Sequence, residues 1–281
     1  MISTGSIADI QALISQFKSE GKKIGFVPTM GALHEGHLSL IDAAKEKADI
    51  VVCSIYVNPT QFTNQDDLKQ YPRNVETDKS LLENNGCDVL FLPSDDVMYA
   101  GRNTIKFDFG DLDKVMEGKF RPGHFSGVAL IVSKLFNIVQ PNYAFFGQKD
   151  LQQLTIIKKL VEELFFNLEI VPVAIKREPN GLAMSSRNER LSKEERHEAQ
   201  IFYKALSEAK LILKQNHSAE NAKEIVKSLF SNHRAQLEYF EIVNDKDLHS
   251  KTKNYLEADT VLCIAGFIGN VRLIDNMYLI S

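Results

Sequence analysis

Between residues 24 and 173, short apolar β-rich runs alternate with segments of helical spacing, and this alternation constrains the fold more than any other feature. Ile24–Val27 reads as a buried strand, and helical spacing follows from about His37 to Lys47. Ile50–Val57 is a near-continuous β-rich run, as expected of a strand covered on both faces. Asn74–Asn85 is helical and stops at Gly86, before the strand Val89–Leu92. Ser126–Val139 is helical, Tyr143–Phe146 a strand, Leu151 to about Leu164 a helix and Leu168–Val173 a strand. Repeated β-α-β units predict a Rossmann-like α/β fold, a mostly parallel sheet with helices on both faces and right-handed crossovers.

The texture changes after Lys176. Arg177–Asn188 is a polar loop containing Gly and Pro. Lys193–Gln215 and Ala219–His233 read as helices, and Leu237–Val243, Thr260–Phe267 and Arg272–Ile280 as strands. The expected organisation is a domain over 1–176 and a smaller α+β domain over 177–281.

With 281 residues the chain buries a large core. Its net charge of −4 argues against a broad nucleic-acid surface. Cys53, Cys87 and Cys263 are far apart, an odd count that suits buried small hydrophobes and a reducing cytoplasm. The N-terminus shows no secretory signal, and no apolar run approaches the ~20 residues of a membrane span, so a cytoplasmic protein is expected.

Ligands of open parallel sheets bind beyond the carboxyl ends of the strands, and polar clusters fall at several such ends. After the first strand comes Pro28-Thr29-Met30-Gly31-Ala32-Leu33-His34-Glu35-Gly36-His37. His34 and His37 share one face of a first helical turn, where free N–H groups and the helix dipole favour anions. A metal site for the two rings would need further ligands, and no nearby Cys/His cluster supplies them. Gly31 and Gly36 have the glycine spacing of a P-loop, yet His37-Leu38 stands where that motif demands Lys-Ser/Thr. No G-x-G-x-x-G run occurs, which removes the main support for a nicotinamide or flavin enzyme.

Gly147-Gln148-Lys149-Asp150 brings an ammonium and a carboxylate to a strand-helix junction. Lys149 suits phosphate charge; Asp150 suits a ribose, Mg²⁺ or the cap of the next helix. Met184-Ser185-Ser186-Arg187 joins hydroxyls to a guanidinium, either as a lid over triphosphate or as a polar interdomain linker. The apolar Leu182-Ala183-Met184 needs something to pack on, which favours the lid. Asn58, Gln61 and Gln153 suit the hydroxyls and carboxylate of a small polar acid, although amides are also common turn residues. Arg121, in Arg121–Phe125, offers a further cation near that carboxylate, or simply shapes its loop.

These runs, with Tyr56–Phe62, Asp67–Arg73, Arg121–Gly127, Phe145–Gln153 and Arg177–Asn188, occur in an order that resembles the pantoate–β-alanine ligase (pantothenate synthetase) family along essentially the whole chain. That family lies in the nucleotidylyltransferase-like superfamily, which includes class I aminoacyl-tRNA synthetases. The resemblance implies ATP-dependent ligation of pantoate and β-alanine through a pantoyl adenylate. It places ATP at Met30, Gly31, Ala32, Leu33, His34, Glu35, Gly36 and His37, at Gly147–Asp150, at Met184–Arg187 and, through its backbone, at Lys176. It places pantoate at Gln61 and Gln153, with β-alanine near Gln61, and makes His37 the proton donor. His34 and Lys149 accompany it as catalytic candidates. It implies Mg²⁺, for which Asp78 is the candidate ligand, and a homodimer, with the second domain as a lid. Asn180 and Lys176 depart from the family's usual Asp and Val. Three rivals stand beside this reading. A nucleotidylyltransferase with a phosphorylated acceptor fits poorly with the neutral amides, and a non-catalytic nucleotide sensor with the retained histidines and Lys149. A truncated tRNA synthetase lacks a basic appendage.

Overall fold

The computed structural model describes residues 1–101, 103–215, 218–253 and 255–280, and the chain divides into two compact units. The first comprises Met1–Gln148 and Ile156–Ala174. Its strands are β1 (Ile2–Thr4), β2 (Ile24–Thr29), β3 (Ile50–Ile55), β4 (Val89–Phe91), β5 (Tyr143–Gly147) and β6 (Glu169–Val173). All pair in parallel, in the order β1-β4-β3-β2-β5-β6. Between the strands run α1 (Ile7–Ser19), α2 (Glu35–Lys47), α3 (Gln65–Lys69), α4 (Val75–Asn84), α5 (Asp95–Met98), α6 (Met116–Phe120) and α7 (His124–Val139), with α8 (Leu151–Glu163) after β5.

Alternation along the strands sends side chains to both faces. On one face, Val27, Cys53, Leu90 and Phe145 pack with Leu40, Ile41 and Ala44 of α2 and Leu82 of α4. On the other, Phe26 and Phe146 meet Phe136 of α7 edge-on, with ring centroids 6.4 and 6.3 Å apart. The expected parallel sheet with helices on both faces is therefore present. From β2 the chain steps outward to β3 and β4, then returns to place β5 on the far side of β2. That reversal opens a crevice at the carboxyl ends of β2 and β5. Burial in β-strands disposes of the thiols of Cys53 and Cys263, and Cys87 is buried too. Burial pushes the Cys87 thiol up to about 12, so it is no nucleophile at neutral pH.

β1 and α1 are additional to the elements expected from sequence. β1 is only three residues long and borrows its order from β4, so no periodicity marks it. α1 does carry a signal: Ser6 caps it, accepting the N–H of Asp9, and Ile10 and Ile14 are its buried stripe.

The second unit comprises Lys149–Thr155 and Ile175–Ser281. It holds α9 (Lys193–Glu198), α10 (Gln200–Lys214), α11 (Ala219–Ser231) and the antiparallel sheet β7 (Gln236–Asn244), β8 (Thr260–Ile268), β9 (Val271–Tyr278). Phe202, Leu206 and Leu213 of α10 pack with Val226 and Phe230 of α11 over Leu262, Ile264 and Leu273. The expected single helix over Lys193–Gln215 is two, meeting at the buried Ala199, whose ψ of −13° flattens the turn. Where the sequence suggests one break after residue 176, Lys149–Thr155 groups with the later residues. Its ends are tied there: the Asn276 amide donates to Lys149 O at 2.8 Å, and the Thr155 hydroxyl to Asp245 O at 2.8 Å.

Candidate active site

At the carboxyl end of β2 the backbone makes two successive left-handed steps, Gly31 at φ 78° and Ala32 at φ 50°. Glycine takes this conformation freely, whereas alanine is strained in it. The buried carboxylate of Asp78, on α4, holds the turn. Its two oxygens accept the N–H groups of Ala32 and Leu33 at 2.9 and 2.8 Å. A Cβ on Gly31 would meet one of those oxygens at 2.9 Å. The next residue, His34, caps α2: its Nδ1 accepts the N–H of Gly36 at 3.1 Å. The helix therefore starts at Glu35 rather than near His37 as the apolar spacing suggests. An Nδ1 that accepts carries no proton, which places the ring's N–H on Nε2. The rings of His34 and His37 lie with centroids 4.2 Å apart, inclined at 45°. Met30, His34, Gly36 and His37 are half-buried, Gly31, Ala32 and Leu33 buried, and Glu35 exposed.

The candidate Mg²⁺ ligand Asp78 is thus a backbone pin: both oxygens are engaged by amides, and the residue is 2% exposed. It does not fit as a metal ligand. Among the described residues no group of three or more His, Cys, Asp and Glu side chains is placed to hold a metal ion. Asp78→Ala is expected to destabilise the fold by about 1–3 kcal/mol for each amide left unpaired. Urea unfolding checks this; a folded Asp78→Ala variant of unaltered stability would contradict it.

After β3, Asn58–Gln61 forms a turn against the start of α7. Gly127 permits the approach, since a Cβ there would meet Thr60 O at 2.5 Å. His124 Nδ1 bonds Gln61 O at 2.7 Å, and because a carbonyl only accepts, that nitrogen is the donor. Asn58, proposed from sequence as a substrate contact, is 1% exposed and spent within the chain. Its Nδ2 donates to Gln61 Oε1 and Gly127 O, while its Oδ1 accepts from Thr60 and Tyr99. It orients Gln61 rather than facing a ligand. Gln61 Nε2 lies 3.0 Å from Met30 Sδ, bringing this turn to the histidine turn. Arg121 lies 3.9 Å from the carboxylate of Glu117, one turn earlier. The segment around Arg121 thus has a structural task, which His124 and Gly127 carry out.

β5 ends at Gly147, followed by a 3-10 turn over Gln148–Asp150. Lys149 is largely covered, its Nζ 3.8 Å from the exposed Asp150 carboxylate. Gln153 is half-buried on α8. In the second unit, the Arg177–Asn188 segment is an ordered hairpin-like turn, not a loose linker. Arg177 bridges Ala183, and Met184 N–H donates to Lys176 O at 3.0 Å. Leu182 and Ala183 are buried, with Leu182 in the unit's core, as its apolar character demands. Asn180 Oδ1 accepts the N–H of Leu182 two residues on, a turn that Asn and Asp both make, so this departure from the family pattern keeps the geometry. Ser185 Oγ accepts the N–H of Arg187 at 3.3 Å, opening a 3-10 turn over Ser186–Arg190. Lys176 is exposed; its carbonyl is the one that accepts from Met184.

Sequence reasoning missed Asp275 and Asn276. Asp275 is buried and holds a forked pair with Arg177, at 2.7 and 3.0 Å. Asn276 O accepts from the same guanidinium, and its side chain holds Lys149 O. One strand, β9, therefore fixes both Lys149 and the base of the 177–188 turn. The visible signal was an Asp-Asn pair in the middle of the largely apolar strand run Leu273–Ile280.

A parallel sheet whose reversal point carries a pinned, histidine-capped turn at a helix N-terminus defines an α/β protein of the class that binds ligands at that crevice. A family model described as pantoate-beta-alanine ligase matches residues 3–278. The chain belongs to the pantoate–β-alanine ligase family, and is a ligase of that kind. It is 45% identical to a pantothenate synthetase of Cytophaga hutchinsonii over the full length of both chains. With that of Aquifex aeolicus it shares 48% identity, over 96% of each. It resembles the crystal structure of pantothenate synthetase from Thermus thermophilus with a TM-score of 0.93, at 37% identity and full coverage of both chains. It also resembles the Francisella tularensis pantoate-beta-alanine ligase complexed with beta-gamma ATP and beta-alanine. There the TM-score is 0.82 at 36% identity, covering 99% of this chain and 98% of that one.

Proposed function

We propose that this ligase joins pantoate to β-alanine in two steps. An oxygen of the pantoate carboxylate attacks the α-phosphorus of ATP, and the bond to the β-phosphate oxygen breaks, giving pantoyl adenylate and pyrophosphate. The β-alanine amine then attacks the acyl carbon. The bond to the AMP oxygen breaks and the amine loses a proton, giving pantothenate and AMP. ATP, taken as its Mg²⁺ complex, is assigned to Met30–His37, Gly147–Asp150, Lys176 and Met184–Arg187, and pantoate to Gln61 and Gln153. His37 donates a hydrogen bond where charge moves onto the departing pyrophosphate, with His34 Nε2–H and Lys149 sharing that charge. Arg121, 3.9 Å from Glu117, is the further cation assigned to the pantoate carboxylate.

The observation that carries this reading is the histidine turn. Its backbone is fixed by Asp78, and its two rings stand side by side at a helix N-terminus. The test is product analysis. Purified protein with ATP, pantoate and β-alanine should release pantothenate and AMP in equal amounts, and omission of any one substrate should abolish pantothenate. Release of ADP instead of AMP would contradict the adenylate route. On the same reading the enzyme works in the cytoplasm as a homodimer, which sedimentation at micromolar concentration checks; no helix among the described residues is long and apolar enough to cross a membrane.

A further inference from the structure

A carboxamide can present either its carbonyl or its amino end, and which end faces a substrate decides what the site recognises. In the Asn58–Gln61 turn that choice is settled by a group whose polarity cannot change. The Gly127 carbonyl only accepts, so the Asn58 atom 3.2 Å from it is the amino nitrogen. The Asn58 Oδ1 then faces the hydroxyls of Thr60, at 3.0 Å, and Tyr99, at 2.5 Å. The same Asn58 nitrogen lies 3.1 Å from Gln61, so that atom of Gln61 is Oε1. Gln61 is left with Nε2 as its other end, which gives one N–H to Met30 Sδ at 3.0 Å and keeps the second.

Tyr99 is built to stay a donor in this chain. A phenol keeps its O–H at neutral pH, and Asn58 Oδ1 can only accept it; burial pushes the Tyr99 phenol further up. Its ring is held by the Lys134 ammonium, 4.1 Å from the centroid, and Lys134 in turn bonds Met98 O in the preceding residue. Tyr99 lies outside every motif of the sequence, 38 residues beyond Gln61 and at the end of α5.

We infer that Tyr99 is a positioning residue for substrate recognition: through Asn58, and with the Gly127 carbonyl, it fixes Gln61 so that the remaining N–H of its amide is presented to an acceptor oxygen of the acid substrate. The inference rests on the assignment of pantoate to Gln61. It deepens that assignment by giving the contact a direction: the matching substrate group is a carboxylate oxygen or a hydroxyl used as acceptor, not a hydroxyl used as donor.

The experiment is a double-mutant cycle on pantoate kcat/KM, with ATP KM measured alongside, in Tyr99→Phe, Gln61→Ala, the double variant and Gln61→Glu. Tyr99→Phe keeps the ring for Lys134 and removes only the hydroxyl. It should raise pantoate KM roughly three- to tenfold, the scale of one hydrogen bond, with ATP KM unchanged. In the Gln61→Ala background the same change should have no further effect, because its target is gone. Gln61→Glu, which offers only acceptors, should lose at least as much pantoate kcat/KM as Gln61→Ala. Multiplicative losses in the double variant, or an equal rise in ATP KM, would show that Tyr99 acts on the fold at large and overturn the inference. A well-tolerated Gln61→Glu would overturn the direction of the contact. If Gln61→Ala leaves pantoate kinetics untouched, the assignment of pantoate to Gln61 fails as well, an outcome distinct from failure of Tyr99 alone.

Discussion

Replacing His37 with alanine is expected to slow pantoyl-adenylate formation by roughly 10²–10⁴, the scale of a lost acid or charge-stabilising donor. The ring sits in the first turn of α2, beside His34, where the positive end of the helix dipole favours an anion. Charge shifts to the leaving pyrophosphate only in the first half-reaction. Chemically supplied pantoyl adenylate should therefore still react with β-alanine at close to the normal rate. His34→Ala should act in the same direction. It should also cost about 0.5–2 kcal/mol of stability, because the lost ring supplies the α2 cap. Single-turnover measurement of each half-reaction separates these effects. Equal damage to both steps, or a folded His37→Ala variant with unimpaired adenylate formation, would remove His37 from the chemistry.

The second large effect is expected at the base of the 177–188 turn. Arg177→Met should destabilise the protein by about 3–5 kcal/mol, because it leaves a buried carboxylate without its partner. Asp275 is 4% exposed, and burial pushes its carboxyl up against the pull of the Arg177 fork. The guanidinium also holds Gly181 O and Asn276 O and stacks on the Tyr203 ring, with 4.8 Å between its central carbon and the ring centroid. Loss of the pair should thus loosen the 177–188 turn and, through Asn276, the backbone at Lys149. The double change Arg177→Met with Asp275→Leu should recover much of the stability, since an apolar pair leaves no stranded charge. Urea unfolding of the single and double variants is the measurement. A loss under about 1 kcal/mol for Arg177→Met would place this pair with ordinary exposed ion pairs.

The elements most legible in the sequence were those whose burial forces a strong period. Ile24–Val27, Ile50–Val57 and Val89–Leu92 announced covered strands because both faces had to be apolar. α7 announced itself by the stripe of apolar residues from Phe125 to Val139. The histidine turn was legible because strand, proline, glycine and helix spacing converge on ten residues. Asp78, Tyr99 and Asp275 were not, for one physical reason. Each acts by hydrogen bonds to groups 41 to 98 residues away in sequence, and no local periodicity encodes such a partner. The role of Asn58 was misread for a related reason. A neutral amide near a strand end looks the same whether its four hydrogen-bond positions go to a ligand or, as here, to Gly127, Gln61, Thr60 and Tyr99.

The account's central claim is a free-standing acyl-adenylate made at the histidine turn. Isotope exchange between labelled pyrophosphate and ATP, with pantoate present and β-alanine absent, tests it most directly. Label should enter ATP under those conditions and should not do so without pantoate, because only reversible attack of the pantoate carboxylate on the α-phosphorus returns pyrophosphate to ATP. Exchange that appears only when β-alanine is added would contradict the claim.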